Sequence, residues 1–232
     1  MPPDHSTTNE RMTIITRVTG AALAILTWST VALQLWLLIG RALAHGQSMG
    51  HGIVDYLGYF TILTNIFVAL VLTLPLLAPL SRLSRFLAGA QVRACAVASI
   101  VLVGIGYHIL LRDIWAPGTP SWFAAILLHY VIPSLYVLYW LLALPKQRLV
   151  WWSPLVWCLY PIAYFAYMLL RGLLINRYPY SFFDVNKLGY GRSLENALGL
   201  LLLFVIIGAV LVTVSNVLVL RRGALLSEAK TC

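Results

Sequence analysis

Charge is what this sequence has least of. Only 10% of its 232 residues are charged, and seven acidic residues face sixteen Lys and Arg. An ordinary soluble domain carries about 25% charged residues, so this composition excludes a protein that keeps itself in water. Cysteine is scarce as well, with three in the chain. Cys95 and Cys158 lie within apolar runs and Cys232 ends the chain, which excludes a disulfide framework and leaves small buried or free thiols. The chain has no GxSxG elbow, no Walker-type loop and no GxGxxG. No His or carboxylate pair stands at i, i+4 on an apolar run, and His45 and His51 lie in a polar connector, so neither a metal nor a cofactor is expected. The net charge of +9 comes from basic residues scattered singly or in pairs. With no long basic tract and no aromatic platform between them, nucleic acid is excluded as a partner.

What the chain does have is hydrophobic length, 61% of it apolar. Apolar segments run over 18–40, 57–80, 89–111, 122–144, 150–175 and 194–220. Each is long enough to cross about 30 Å of hydrocarbon as a helix. The connectors are HGQSMGHG, SRLSR, RDIWAPGTPS, PKQR and the longer YPYSFFDVNKLGYGR. The expected fold is all-α: an integral membrane bundle of six helices over 18–220, between a polar tail at 1–17 and another at 221–232. The first segment follows Arg11 and Arg17 and ends near Ala42-Leu43-Ala44, as a signal peptide would. Its apolar stretch is too long for an h-region of about 7–15 residues, so it reads as an uncleaved span.

Basic residues orient the bundle. With the N-terminus in the cytoplasm, the inner pieces hold Arg11, Arg17, Arg82, Arg85, Arg93, Lys146, Arg148, Arg221, Arg222 and Lys230. The outer pieces hold Arg41, Arg112, Arg171, Arg177, Lys187 and Arg192. That bias predicts both termini inside a cell membrane. Asp4, Glu10 and Glu228 belong to the tails, whereas Asp55, Asp113, Asp184 and Glu195 all fall on the outer side. An outer rim of ion pairs is therefore expected, with Asp184 joined to Arg177 or Arg112.

Polar residues within the spans also gather toward that side. In YFTILTNIF, Thr61, Thr64 and Asn65 are spaced i, i+3, i+4 and so share a helix face. On the fourth span His129, Pro133, Tyr136 and Trp140 form a stripe, and on the fifth Tyr160, Tyr164, Tyr167 and Arg171 do the same. Tyr107 and His108 close the third span, while Glu195 and Asn196 open the sixth. Taken singly, such threonines bond back to the preceding turn and such aromatics anchor span ends. Their coincidence at one depth points to a polar cavity in the outer half. A neutral histidine there can take a proton from a hydroxyl attacking an ester carbonyl, with threonine, Asn65 or tyrosine bonding the oxyanion. Nothing in the spacing singles out one nucleophile. The loop carrying YPY, FFD and LGYG combines bulk, a carboxylate and turn glycines, and reads as an ordered lid.

YFTILTNIF in the second span, LLHYVIP in the fourth, and LLRG with YPYSFFDVNKLGYG after the fifth resemble, in this order, the bacterial six-span Pr-six-Pr membrane proteins. More distantly, the chain is similar to the androgen-induced FAR/AIG-type membrane proteins, threonine hydrolases that cleave fatty-acid esters of hydroxy fatty acids. The resemblance implies Thr61 as nucleophile, with Thr64 as the other choice, and His129 as its partner. His129 and Pro133 are four apart here, one residue closer than in the animal pattern. Thr64, Asn65, Tyr107, His108, Tyr136, Tyr164, Tyr167, Arg171 and Asp184 are the expected binding residues. The leading reading is a lipid-ester hydrolase acting on a fatty-acyl ester or a similar amphiphile in the bilayer. Its rivals are a small-molecule transporter or lipid-binding protein using the same cavity without covalent chemistry, and a purely structural membrane protein. Obvious inverted repeats and paired broken spans are missing, which weighs against a transporter. The sequence fixes no oligomeric state.

Overall fold

The computed structural model describes the backbone of residues 5–231 and the side chains of residues 14–224. Asp4, Glu10 and Glu228, assigned above to the tails, fall outside the described side chains, as do Arg11 and Lys230. The chain is an all-α bundle in which six helices are long and apolar enough to span a membrane. The first, α1, runs from His5 to Ala44, so helix begins well inside the stretch expected as a tail. A short helix, α2 (Met49–Leu57), follows; its N-terminal amide at His51 is capped by the Ser48 hydroxyl at 3.2 Å. The glycines around His51 read as a connector, yet the segment is helical once Ser48 caps it. The second span is α3 (Phe60–Leu77), and the third, α5 (Ala90–Leu110), is reached through the short α4 (Arg82–Leu87).

The fourth span is one continuous helix with a wide turn in its middle. It comprises α6 (Pro120–Ile126), a π-helical turn over Leu127–Val131, and α7 (Ile132–Leu142). Pro133 has no N–H to give to the His129 carbonyl four residues back, and its ring crowds that oxygen. The backbone widens there, and the Ile132 N–H reaches back to Leu127 O. The fifth span joins α8 (Ser153–Trp157) to α9 (Leu159–Ile175). A 3-10 turn at Ser181–Phe183 leads to α10 (Val185–Thr231), which is broken at Gly189, φ 75 and ψ 166. Only glycine takes that conformation without strain. The sixth span thus starts earlier than the expected 194, with its first turn set off by this break.

Without water to drive helices together, membrane bundles rely on small residues that let backbones approach. The third span shows this: Ala94, Ala96, Val97, Ala98 and Ile100 are completely buried, which makes α5 the centre of the bundle. It packs against α3, α7 and α10, while α1 packs on α2, α3 and the fourth span. Gly104 of α5 lies against the π-turn, where a Cβ would stand 3.0 Å from the His129 carbonyl oxygen. The backbone of α9 lies close to α8 and α10. Its links to α2 and α3 are made by side chains, and a cavity opens in the gap.

Candidate functional site

Thr61 is the second residue of α3, and His129 sits in the π-turn; both are buried, at 7% and 9% exposure. The Thr61 Oγ1 lies 3.1 Å from His129 Nε2. The other ring nitrogen, Nδ1, is 2.7 Å from the Ala125 carbonyl oxygen. A carbonyl can only accept, so Nδ1 carries the proton and Nε2 presents its lone pair. The Thr61 hydroxyl therefore donates to Nε2, which is the bond a nucleophile makes to its base. Tyr107 holds the imidazole from one side, stacked at 3.9 Å between centroids and 20° between planes.

Asn65 ties this arrangement to the π-turn. Its Nδ2 donates to Thr61 O at 2.8 Å and to Leu128 O at 3.4 Å, and its Oδ1 is buried without a partner. Thr64 does not join them. It points toward the fifth span, its hydroxyl 3.1 Å from that of Tyr160. The three polar residues of YFTILTN thus divide between two neighbouring helices.

The other expected binding residues separate into three groups. Tyr164, Tyr167 and Arg171 fasten α9 to the end of α2: Tyr164 donates to Gly58 O at 2.9 Å and Tyr167 to Leu57 O at 3.3 Å. Arg171 donates to Asp55 Oδ1 at 2.8 Å, Val54 O at 3.2 Å and Arg177 O at 2.9 Å. His108 is exposed and pairs with the Tyr130 hydroxyl at 3.1 Å, away from Thr61. Tyr136 lies toward the opposite end of the bundle, fully buried beside a second cavity. Seven residues beyond His129, it is about two helical turns further along the span.

The expected partner of Asp184 is also corrected. Arg177 goes to Asp55 at 3.2 Å and also meets His51, while Arg112 pairs with its neighbour Asp113 at 3.4 Å. Asp184 instead accepts from the Asn186 N–H at 3.1 Å and stands 3.7 Å from Lys187. Asp55, which the sequence marked only as an outer-side acid, is the hub holding both arginines.

A cavity of about 310 Å³ opens beside Thr61, between α3, α5, α9 and α10. Thr61, Tyr107, Tyr164 and Tyr180 carry the only polar side-chain groups among the described lining residues. Leu194 and Leu198, at 51% and 55% exposure, bring its wall to the lipid-facing surface of the sixth span. The loop after the fifth span closes its outer end. Asn176 ends α9 in the left-handed conformation at φ 54, and its side chain accepts from Asn186 Nδ2 at 3.0 Å. Asn196 Nδ2 then donates to Phe182 O at 2.7 Å, which pins the loop over the cavity.

Sequence reasoning missed one residue at the site, Tyr180. Its ring is buried edge-on to Tyr59 and stacked on Phe182. Its hydroxyl accepts from the Thr61 backbone N–H at 3.5 Å, one of the first-turn amides that α3 leaves unpaired. Burial pushes this phenol up to about 12, so it keeps its proton as a donor. The signal was the YPY triplet in a loop read as ordered, but nothing in that pattern says which tyrosine turns inward. No family model, curated protein or solved structure matches the chain.

Proposed function

We propose that this chain is an intramembrane hydrolase of lipid esters, with Thr61 as nucleophile and His129 as general base. The observation that carries the reading is the 3.1 Å contact from the Thr61 hydroxyl to a ring nitrogen left free to accept. An apolar cavity beside that hydroxyl suits an acyl chain. The resemblance of YFTILTNIF and LLHYVIP to the threonine-hydrolase pattern supports the same pair.

In the first half-reaction the Thr61 oxygen attacks the ester carbonyl carbon as Nε2 takes its proton. Negative charge builds on the carbonyl oxygen, and the Tyr180 hydroxyl, which meets the Thr61 N–H beside the nucleophile, is the donor placed to bond it. Collapse breaks the bond to the leaving alkoxy oxygen, which takes the proton from the imidazolium. Water, deprotonated by His129, then attacks the acyl-threonine; fatty acid leaves and the hydroxyl regains its proton. The Ala125 carbonyl steers the ring in place of the carboxylate of a Ser-His-Asp triad.

The test is reaction of purified protein with a fluorophosphonate probe and with medium-chain and long-chain acyl esters. Thr61→Ala is expected to be folded, unlabelled and inactive, and Thr61→Ser to retain activity. His129→Gln should lower turnover by about 10²–10⁴-fold, and Thr64→Ala should remain labelled. Full labelling of Thr61→Ala sinks the reading, and lipid binding without chemistry then stands in its place.

A further inference from the structure

The end of the bundle away from Thr61 holds a second cavity, of about 180 Å³, between the inner ends of α1, α3, α5 and α7. Its wall is different in kind. Arg17 of α1 and Arg93 of α5 both border it, together with Tyr136 and Tyr139 of α7. Lys146 lies close by, its ammonium 4.6 Å from the centre of the Trp140 ring. Burial, and then the charge of Arg93, hold that ammonium down to about 8.

Neither Arg17 nor Arg93 makes an ion pair among the described residues, whose carboxylates, Asp55, Asp113, Asp184 and Glu195, all belong to the opposite end. The Tyr139 hydroxyl donates to Thr16 O at 3.3 Å, but that of Tyr136 is completely buried and has no partner. A buried hydroxyl left unpaired costs about 1–3 kcal/mol. Arg17 is exposed and Arg93 half-buried, and cations set around one cavity repel one another unless an anion joins them. The preference for basic residues on the cytoplasmic side explains which end they occupy. It does not explain why two arginines share one cavity with an unpaired phenol.

We propose that this cavity binds a phosphate group, with Arg17 and Arg93 as charge partners and Tyr136 as a neutral donor. It lies where four spans meet the cytoplasmic interface, at headgroup depth, so the phosphate of an anionic phospholipid can reach it from the side. Free phosphate has the same oxygens, and the experiment separates the two sources. This inference does not depend on the hydrolase reading.

Thermal unfolding of the full-length protein in detergent would be measured with added phosphatidylglycerol, phosphatidylcholine or inorganic phosphate, with bound lipid counted by native mass spectrometry. Phosphatidylglycerol is expected to raise the midpoint by several degrees more than phosphatidylcholine, with one lipid retained. The double variant Arg17→Gln/Arg93→Gln should lose that excess and the retained lipid. Arg85→Gln, an exposed arginine at the same end, should keep both. Tyr136→Phe, which preserves packing, should weaken retention at least threefold. A shift with inorganic phosphate, abolished in the same double variant, assigns the site to free phosphate. Equal shifts with both lipids, or an excess that survives the double variant or falls equally in Arg85→Gln, overturn the proposal.

Discussion

The outer and inner halves of the bundle are built from the same helices and held together in opposite ways. Around α5 the inner half is closed by alanine and valine, and its smaller cavity lies at the inner end among basic residues. The outer half has hydroxyls, backbone carbonyls, an imidazole and a buried arginine reaching between helices around an unfilled chamber. The inner half joins its spans by close packing of small residues, with a few hydrogen bonds at its end such as Asn216 to Leu149 and Trp157 to Gln91. In the outer half, Asn65 Oδ1 and the Arg171 guanidinium are buried at an energetic cost that a packed apolar surface would have avoided.

The sharpest way to break this comparison is to find the two ends reversed. In a cysteine-free background, a cysteine at Gln47 should react with an impermeant thiol reagent on intact cells, and one at Leu80 only after lysis. These neighbours serve better than Ser48 and Ser81, whose hydroxyls cap helices. Labelling of the Leu80 variant without lysis would reverse the assigned orientation.

The next largest effect concerns cohesion. Asp55→Ala leaves Arg171, 6% exposed, without its carboxylate, and should cost about 3–5 kcal/mol in a reversible unfolding assay. The exposed Arg148→Ala at the inner rim should change stability by about 0.5 kcal/mol or less. Equal losses would erase the distinction between halves.

Tyr180→Phe tests the lid as part of the chemistry. Its kcat on a soluble ester should fall about 10²-fold or more, the loss seen when an oxyanion donor is removed. KM and the unfolding midpoint should change little, since the ring and its stacking stay. Thr64→Val should do the reverse: turnover is kept and stability falls by about 1 kcal/mol or less, because only its contact to Tyr160 is lost.

The smallest effect belongs to the inner end and to pH. Lys146 is held below its usual value, to about 8, so the folded chain gives up this proton before the unfolded chain does. Between that pH and the ordinary lysine value the unfolded state binds more protons, and stability should rise slightly as pH increases. Lys146→Met should flatten that slope, and an unchanged slope would assign it elsewhere.

The spans were legible because each is an uninterrupted apolar run, which no other structure can bury in lipid. The pairing of Thr61 with His129 was legible only as a matching depth on two helices. That Thr61 rather than Thr64 faces His129 was not, because positions i and i+3 differ by about 60° around a helix and can serve two neighbours. The π-turn leaves no mark in hydrophobic periodicity; its trace is Pro133, and four residues from a histidine a proline reads equally well as a kink. Asp184 was given the wrong partner because charge counting ignores competition: Asp55 takes Arg177 and Asp113 takes Arg112. Tyr136 shared a stripe with His129 and went to the other cavity, since a stripe runs the whole length of its helix while a site occupies one level of it.

A chamber walled by leucine and phenylalanine admits hydrocarbon readily and water hardly at all, yet hydrolysis consumes one of each. On the reading proposed here, the alcohol half of the substrate leaves into lipid as easily as it came. The acyl-threonine left behind then waits for a second reactant that the walls discourage. Its lifetime becomes a matter of supply, set by how often a water molecule slips past the aromatic loop. Any hydroxyl-bearing lipid already in the chamber competes for the same carbonyl. Whether such a protein breaks esters down or passes acyl groups between alcohols is then decided less by the nucleophile than by which acceptor arrives first.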